Sequence, residues 1–243
     1  MMTGKNSWAF TQAAAFSKRA SKCEASRGAF DVRKEYEMGF WLEGSGCSSR
    51  NYVLDVEAAT LPLGDDRTLT FPDLRMTPTD RIALTGSNGN GKSTLIRHLL
   101  KGTNVPPERL LYVPQEISEE ESRRIHAEVK QLPKEALGRV MTSVSRLGSR
   151  PGRLLGSETP SPGEIRKLLL AMGVDRGPHL VNMDEPTNHL DLPSIECLEE
   201  ALAECPCALL LVSHDERFLS KLVDLRWHLV PESGHMIALQ VER

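Results

Sequence analysis

The chain predicts an α/β fold built on a parallel sheet, and three observations carry that prediction. An apolar strand from His179 to Met183 runs into the adjacent carboxylates Asp184 and Glu185. A glycine-rich phosphate loop, Gly86-Ser87-Asn88-Gly89-Asn90-Gly91-Lys92-Ser93, stands between the apolar run Ile82–Leu84 and a helical pattern. Two further apolar runs, Leu110–Val113 and Ala208–Val212, end in Pro114-Gln115 and in Ser213-His214-Asp215. Polar groups able to do chemistry thus recur at strand ends, where open α/β sheets bind their ligands.

Taken in order, residues 1–45 read as a basic helical arm. Phe16, Ala20, Cys23, Arg27 and Phe30 recur at alternating spacings of four and three, one stripe of a helix. Residues 1–35 carry seven basic and three acidic side chains, a net of +4, which leaves −7 on the rest of a chain whose total is −3. Such an arm either packs its stripe on a neighbour or meets a phosphate backbone. The glycine- and serine-rich stretch Gly44–Ser49 then leads into a domain expected over residues 46–243.

That domain opens with β-type segments, Tyr52–Val56 and Arg67–Met76, interrupted by Pro62, Gly64 and Pro72. In the phosphate loop, Gly86, Gly89 and Gly91 let the backbone curl so that successive N–H groups face an anion at the positive end of the next helix. Leu95, Ile96, Leu99 and Leu100 mark the buried face of that helix. Lys92 suits the β- and γ-phosphates, and the Ser93 hydroxyl suits Mg²⁺. Residues 119–150 read as helices with two stripes, Ile125, Val129 and Leu132, then Leu137, Val140, Val144 and Leu147. They place a small helical subdomain over residues 117–176 or so.

Composition narrows the class without deciding it. A length of 243 residues with 40% hydrophobic content suits one large α/β domain plus an appendage. No apolar run approaches a membrane span, and the first thirty or so residues lack a secretion signal's apolar centre, so a cytoplasmic protein is expected. Cys23, Cys47, Cys197, Cys205 and Cys207 are odd in number, and free thiols are expected rather than a metal site.

The ordered set of motifs resembles the ATP-binding cassette (ABC) superfamily of P-loop NTPases. Residues 86–93 look like Walker A, Gln115 like the Q-loop glutamine, and Ser161-Pro162-Gly163-Glu164 like the signature. Asp184-Glu185 looks like Walker B with its catalytic glutamate, Asn188-His189-Leu190-Asp191 like the D-loop, and His214 like the switch histidine. Glu185-Pro186-Thr187-Asn188-His189-Leu190-Asp191 is similar to the ABC-F branch, which has two cassettes per chain, no transmembrane partner, and members acting on the ribosome as translation or antibiotic-resistance factors. The arm resembles the end of the linker between the two ABC-F cassettes, with Val32–Trp41 as its exit.

The resemblance implies ATP and Mg²⁺ as ligands. Gly86, Ser87, Asn88, Gly89, Asn90, Gly91, Lys92, Ser93 and Thr94 are expected to hold the nucleotide, with Gln115, Ser161, Gly163 and Asp191. Ser93, Gln115 and Asp184 are expected at the metal, Glu185 on the attacking water and His214 on the γ-phosphate. Ser161 and Gly163 would close over a γ-phosphate held by a second cassette, the implied partner, and the arm would reach tRNA or rRNA. Three positions depart from the family pattern: Pro160 for leucine, Pro162 for the first signature glycine, and Leu63 for the aromatic that stacks on adenine. The ATPase subunit of a membrane transporter, or a nucleotide-dependent binding module with little turnover, remain open as other readings.

Overall fold

The computed structural model describes residues 51–157, 160–232 and 235–242. The arm expected over residues 1–45, with Cys23 and Cys47, lies outside them. Among the described residues an eight-stranded sheet forms the frame. Its strands are β2 (Ala59–Gly64), β3 (Arg67–Phe71), β5 (Arg81–Gly86), β6 (Leu110–Val113), β7 (Leu180–Asp184), β8 (Ala208–Val212), β9 (Leu225–Pro231) and β10 (Met236–Glu242). Their spatial order is β2-β3-β10-β9-β5-β8-β7-β6. The run β9-β5-β8-β7-β6 is wholly parallel. A separate antiparallel pair joins β1 (Leu54–Val56) to β4 (Leu74–Met76). The Arg67–Met76 segment therefore divides at Pro72-Asp73 and serves two sheets, because proline cannot donate to a continuing ladder.

The parallel strands are covered on both faces. Every residue of β7 and β8 is buried, the pattern of central strands without a wet side. One face packs Ile82, Leu84, Leu210 and Val212 against Leu95, Ile96 and Leu99 of α1 (Lys92–Lys101). The other packs Ala83, Val181, Met183 and Leu211 against Leu198 and Leu202 of α6 (Leu192–Ala203), and against Phe218 of α7 (Glu216–Leu219). Arg81 caps the C-terminal end of α6, donating to the carbonyls of Leu202 at 2.9 Å, Ala203 at 3.1 Å and Cys205 at 2.7 Å. Cys197, Cys205 and Cys207 are buried thiols.

A third apolar cluster belongs to helices alone. α2 (Glu119–Lys130), α3 (Lys134–Arg146) and α4 (Pro151–Gly156) contribute Ile125, Val129, Val140, Val144 and Leu154. They pack on Ile165, Leu168 and Met172 of α5 (Pro162–Asp175). Ser118 caps α2 by accepting from the Glu121 N–H, with three glutamates in the first turn facing the positive helix end. α5 buries both flanks: Leu170 and Val174 face the sheet while Leu168 and Ala171 face the helices. Gly173 allows that fit, since a Cβ there would lie 2.3 Å from Leu111 Cδ1.

Candidate nucleotide site

The C-terminal ends of β5, β7 and β8 bring together most of the residues that sequence pattern singles out. β5 ends in Gly86 at φ 140°, where a Cβ would stand 2.9 Å from both the Cβ and the carbonyl oxygen of Leu229 on neighbouring β9. Glycine is required there by space as well as by dihedral. Gly91, at φ 89°, precedes α1, and a Cβ on it would strike Leu63 Cδ2 at 2.6 Å. The Asn90 side chain turns inward and donates to the Leu229 carbonyl at 3.2 Å, so it anchors the loop and leaves its backbone to face a ligand.

Lys92 arches back across the loop. Its ammonium donates to the Gly86 carbonyl at 2.7 Å and lies 3.2 Å from His214 Nε2. Burial lowers its pKa, opposed by the charges of Glu185 and Asp184. Ser93 Oγ donates to Asp184 Oδ2 at 3.4 Å. Asp184 is itself buried, and desolvation raises its pKa above the ordinary aspartate value despite the Ser93 hydrogen bond and the Lys92 and Arg166 charges.

Glu185 follows in a left-handed conformation, φ 48°, rare for a residue with a side chain. Its N–H donates to the Val212 carbonyl at 2.8 Å, continuing the β7–β8 ladder past its end. Its Oε1 lies 3.6 Å from His214 Nε2, which is also 3.0 Å from Asn88 Oδ1. One ring nitrogen thus faces a lysine, an amide and a carboxylate; it accepts from Lys92 when neutral there and donates to Asn88 or Glu185 when protonated. A cleft of about 380 Å³ opens beside this group, lined by Gly86, Ser87, Ser213, His214, Arg226 and His228.

The remaining predicted residues do not join this cluster. Gln115 is exposed just past β6, and its side chain makes no hydrogen bond to Ser93 or Asp184. Thr94 accepts from Arg97 Nη2 at 3.5 Å on the outer side of α1. Ser161 forms a capping box at the start of α5: its hydroxyl accepts from the Glu164 N–H while Glu164 Oε2 accepts from the Ser161 N–H at 2.8 Å. Pro162 then occupies the first helical position, where no N–H is needed, which accounts for proline in place of the family glycine. A Cβ on Gly163 would lie 2.5 Å from the His189 carbonyl oxygen, so this glycine lets α5 touch the Asn188–Asp191 turn. Asp191 caps α6 by accepting from the Ser194 N–H at 3.2 Å; the Ser194 side chain first, then the Lys167 charge and this backbone bond, lower its pKa.

Two arginines were not legible as site residues. Arg67, opening β3, donates to the Gly89 carbonyl at 3.2 Å and braces the phosphate loop. Arg166, on α5, is buried and donates to the Glu185 carbonyl at 2.7 Å and the Pro114 carbonyl at 3.2 Å. Its one signal in the sequence was its place as the first of two cations, Arg166 and Lys167, between Ile165 and the apolar run Leu168–Leu170.

The ABC transporter family model matches residues 69–147. The zinc import ATP-binding protein ZnuC of Paracoccus denitrificans is 32% identical, over 71% of this chain and 72% of its own length. The erythromycin resistance ATP-binding protein MsrA of Staphylococcus epidermidis is 29% identical, over 77% of this chain and 39% of its own. The ribosome protection protein VmlR of Bacillus subtilis is 29% identical, over 84% of this chain and 39% of its own. The chain thus spans about two fifths of the length of these last two relatives. A solved structure described as RNase-L Inhibitor shares the fold with a TM-score of 0.60 at 18% identity, over 91% of this chain and 46% of that one. Among the described residues no helix is long and apolar enough to cross a membrane. The chain belongs to the ATP-binding cassette ATPases, as a nucleotide-binding cassette of the ABC-F type.

Proposed function

We propose that this chain is the ATP-binding and hydrolysing cassette of an ABC-F protein that works on the ribosome in the cytoplasm, and that a second cassette completes its site. The observation that carries the reading is a division. Lys92, Ser93, Asp184, Glu185 and His214 converge at one sheet edge, whereas Ser161 caps α5 through Glu164 and Gly163 meets the His189 carbonyl instead. A phosphate site lacking a signature contact of its own, and a signature with no phosphate loop beneath it, are complementary halves.

In this reading the loop N–H groups of residues 86–94 and the Lys92 ammonium hold the β- and γ-phosphates, after Lys92 exchanges the Gly86 carbonyl for phosphate oxygen. Ser93 and Asp184 suit Mg²⁺: two hard oxygens lie 3.4 Å apart, and the carboxylate is buried with its charge only partly compensated. Gln115 would reach the metal by a shift of its exposed side chain. Bound there, Mg²⁺ supplies Lewis-acid neutralisation of charge on the transferring phosphoryl group. The Glu185 carboxylate polarises a water whose oxygen attacks the γ-phosphorus as the bond to the ADP oxygen breaks. His214, within reach of Glu185 and Lys92, holds a γ-phosphate oxygen. Ser161, Gly163 and Asp191 act across the interface on the partner's nucleotide.

The ribosomal part rests on the likeness to the ribosome protection protein VmlR and on the basic arm. The likeness to ZnuC supports a transporter ATPase as the competing reading. Glu185→Gln tests the chemistry: it should bind ATP as wild type does and lose turnover, and turnover at the wild-type rate would remove Glu185 from its role. Cosedimentation with ribosomes tests the partner. Deleting residues 1–35 should abolish a strongly salt-dependent association, and equal pelleting with and without them would favour the transporter reading.

A further inference from the structure

We propose that Arg166 is a positioning residue for hydrolysis, whose guanidinium sets the backbone that aims Glu185 and ties it to the signature helix and the Gln115 segment. The inference rests on Glu185 being the residue that polarises the attacking water.

Arg166 is 4% exposed on a helix otherwise packed with apolar side chains. Burying a guanidinium is costly unless its donors are used, and here they are. Nη1 donates to the carbonyls of Glu185 at 2.7 Å and Asp184 at 3.5 Å. Nη2 donates to those of Pro114 at 3.2 Å and Gln115 at 2.5 Å. All four acceptors are main-chain groups at the ends of β6 and β7, two neighbouring parallel strands. A planar fork can bridge two such carbonyl pairs at once, which a lysine ammonium cannot.

Glu185 needs such a restraint. Its φ of 48° lies in a region that side chains avoid, and such conformations persist only where surrounding bonds over-determine them. The Val212 carbonyl fixes the N–H side, while Arg166 and the Asn188 N–H, at 3.2 Å, fix the carbonyl side. Rotation of the peptide that follows Glu185 would swing its Cα–Cβ bond and carry the carboxylate away from His214. Because Arg166 rides on α5 five residues past Ser161, any displacement of the signature end is transmitted to the carbonyls of Gln115 and Glu185. Engagement of Ser161 and Gly163 by a second cassette is thereby coupled to the aim of the hydrolytic carboxylate.

The test uses the full 243-residue chain in single-turnover hydrolysis, with protein in excess over labelled ATP, beside equilibrium ATP binding and thermal melting. Arg166→Met should slow the hydrolytic step by about tenfold or more while ATP affinity stays within about threefold, and Arg166→Lys should recover part of the rate. In a Glu185→Gln background, Arg166→Met should produce no further loss, because the group it positions is already gone. A rate unchanged in Arg166→Met, an equal loss in both backgrounds, or failure of both Arg166 variants to fold would overturn the proposal and leave Glu185 in its role. Wild-type hydrolysis by Glu185→Gln alone would instead overturn the functional reading on which the proposal stands.

Discussion

Gly163→Ala and Gly138→Ala are the same chemical change in two helices, and the structure gives them opposite signs. Gly138 lies on the exposed side of α3, with nothing within 4 Å of the position a Cβ would take. Alanine there gains helix propensity and loses nothing, a stabilisation of about 0.5–1 kcal/mol. At Gly163 the new Cβ would sit 2.5 Å from the His189 carbonyl oxygen. An unstrained carbon–oxygen contact needs roughly 3.3 Å, so one backbone must retreat by about 0.8 Å. The obstacle cannot rotate away like a side-chain tip, because His189 is itself held at φ 62°. Overpacking of that kind costs about 1–3 kcal/mol, against a smaller propensity gain in a first helical turn. The net is a loss of about 1–2 kcal/mol, which for a domain of this size lowers the melting temperature by about 2–8 °C. Gly138→Ala should raise it by about 1–4 °C. Circular dichroism melts of the two variants decide the matter. A Gly163→Ala protein that melts at or above wild type would mean that the His189 turn yields freely and that the close contact does not hold α5.

Asp184→Asn should raise the melting temperature of the nucleotide-free protein at pH 7 while abolishing Mg²⁺-dependent hydrolysis. Burial raises the Asp184 pKa in the folded state, so its stabilising contribution is present below the ordinary aspartate range and is lost as pH rises through the raised value; a gain from Asp184→Asn that persisted undiminished at low pH would contradict this. Leu63 packs on Gly91 and offers no ring, so a stacking contribution of about 1–3 kcal/mol is missing, and ATP and GTP should compete within about tenfold in displacement binding. A strong preference for ATP would show that another side chain reads the base. Ser161→Ala removes one arm of the α5 capping box and should cost about 0.5–2 kcal/mol, seen as a lower midpoint in urea with an unchanged slope.

What could be read from sequence follows from how local each signal is. The phosphate loop, β7 with its two acids and β8 with His214 are contiguous patterns whose strand, turn and helix preferences agree, and the structure forms them where the pattern places them. The division of Arg67–Met76 between two sheets turned on one proline that the pattern did register. Arg166 and Arg67 were hidden because each acts on main-chain carbonyls far away in sequence, and a carbonyl has no letter. Gly163 looked like a ligand position because the signature motif names it. The contact within this chain is with the carbonyl of His189, a long-range approach that no periodicity reports.

The electrostatics of the nucleotide site argue that its stability and its function are set against each other. Burial raises the pKa of Asp184 and lowers that of Lys92, so in the folded chain each is held away from its charged form by the environment that also holds it in place. Lys92 hydrogen-bonds to the Gly86 and Ser87 carbonyls, the Asn88 amide oxygen and the His214 ring, and the Asp184 carboxylate accepts from the Ser93 hydroxyl. None of these hydrogen-bond partners carries the full opposite charge that a phosphate or a divalent cation would bring. A polyphosphate with its metal therefore relieves two penalties at once, strengthening both ligand interactions in the same low-dielectric pocket. Lys92→Met should accordingly lose nucleotide affinity while the ligand-free protein melts no lower than wild type. A matching fall in stability would mean that the Lys92 contacts to Gly86 and His214 already satisfy its charge, and that the site gains little from its ligand beyond direct contact.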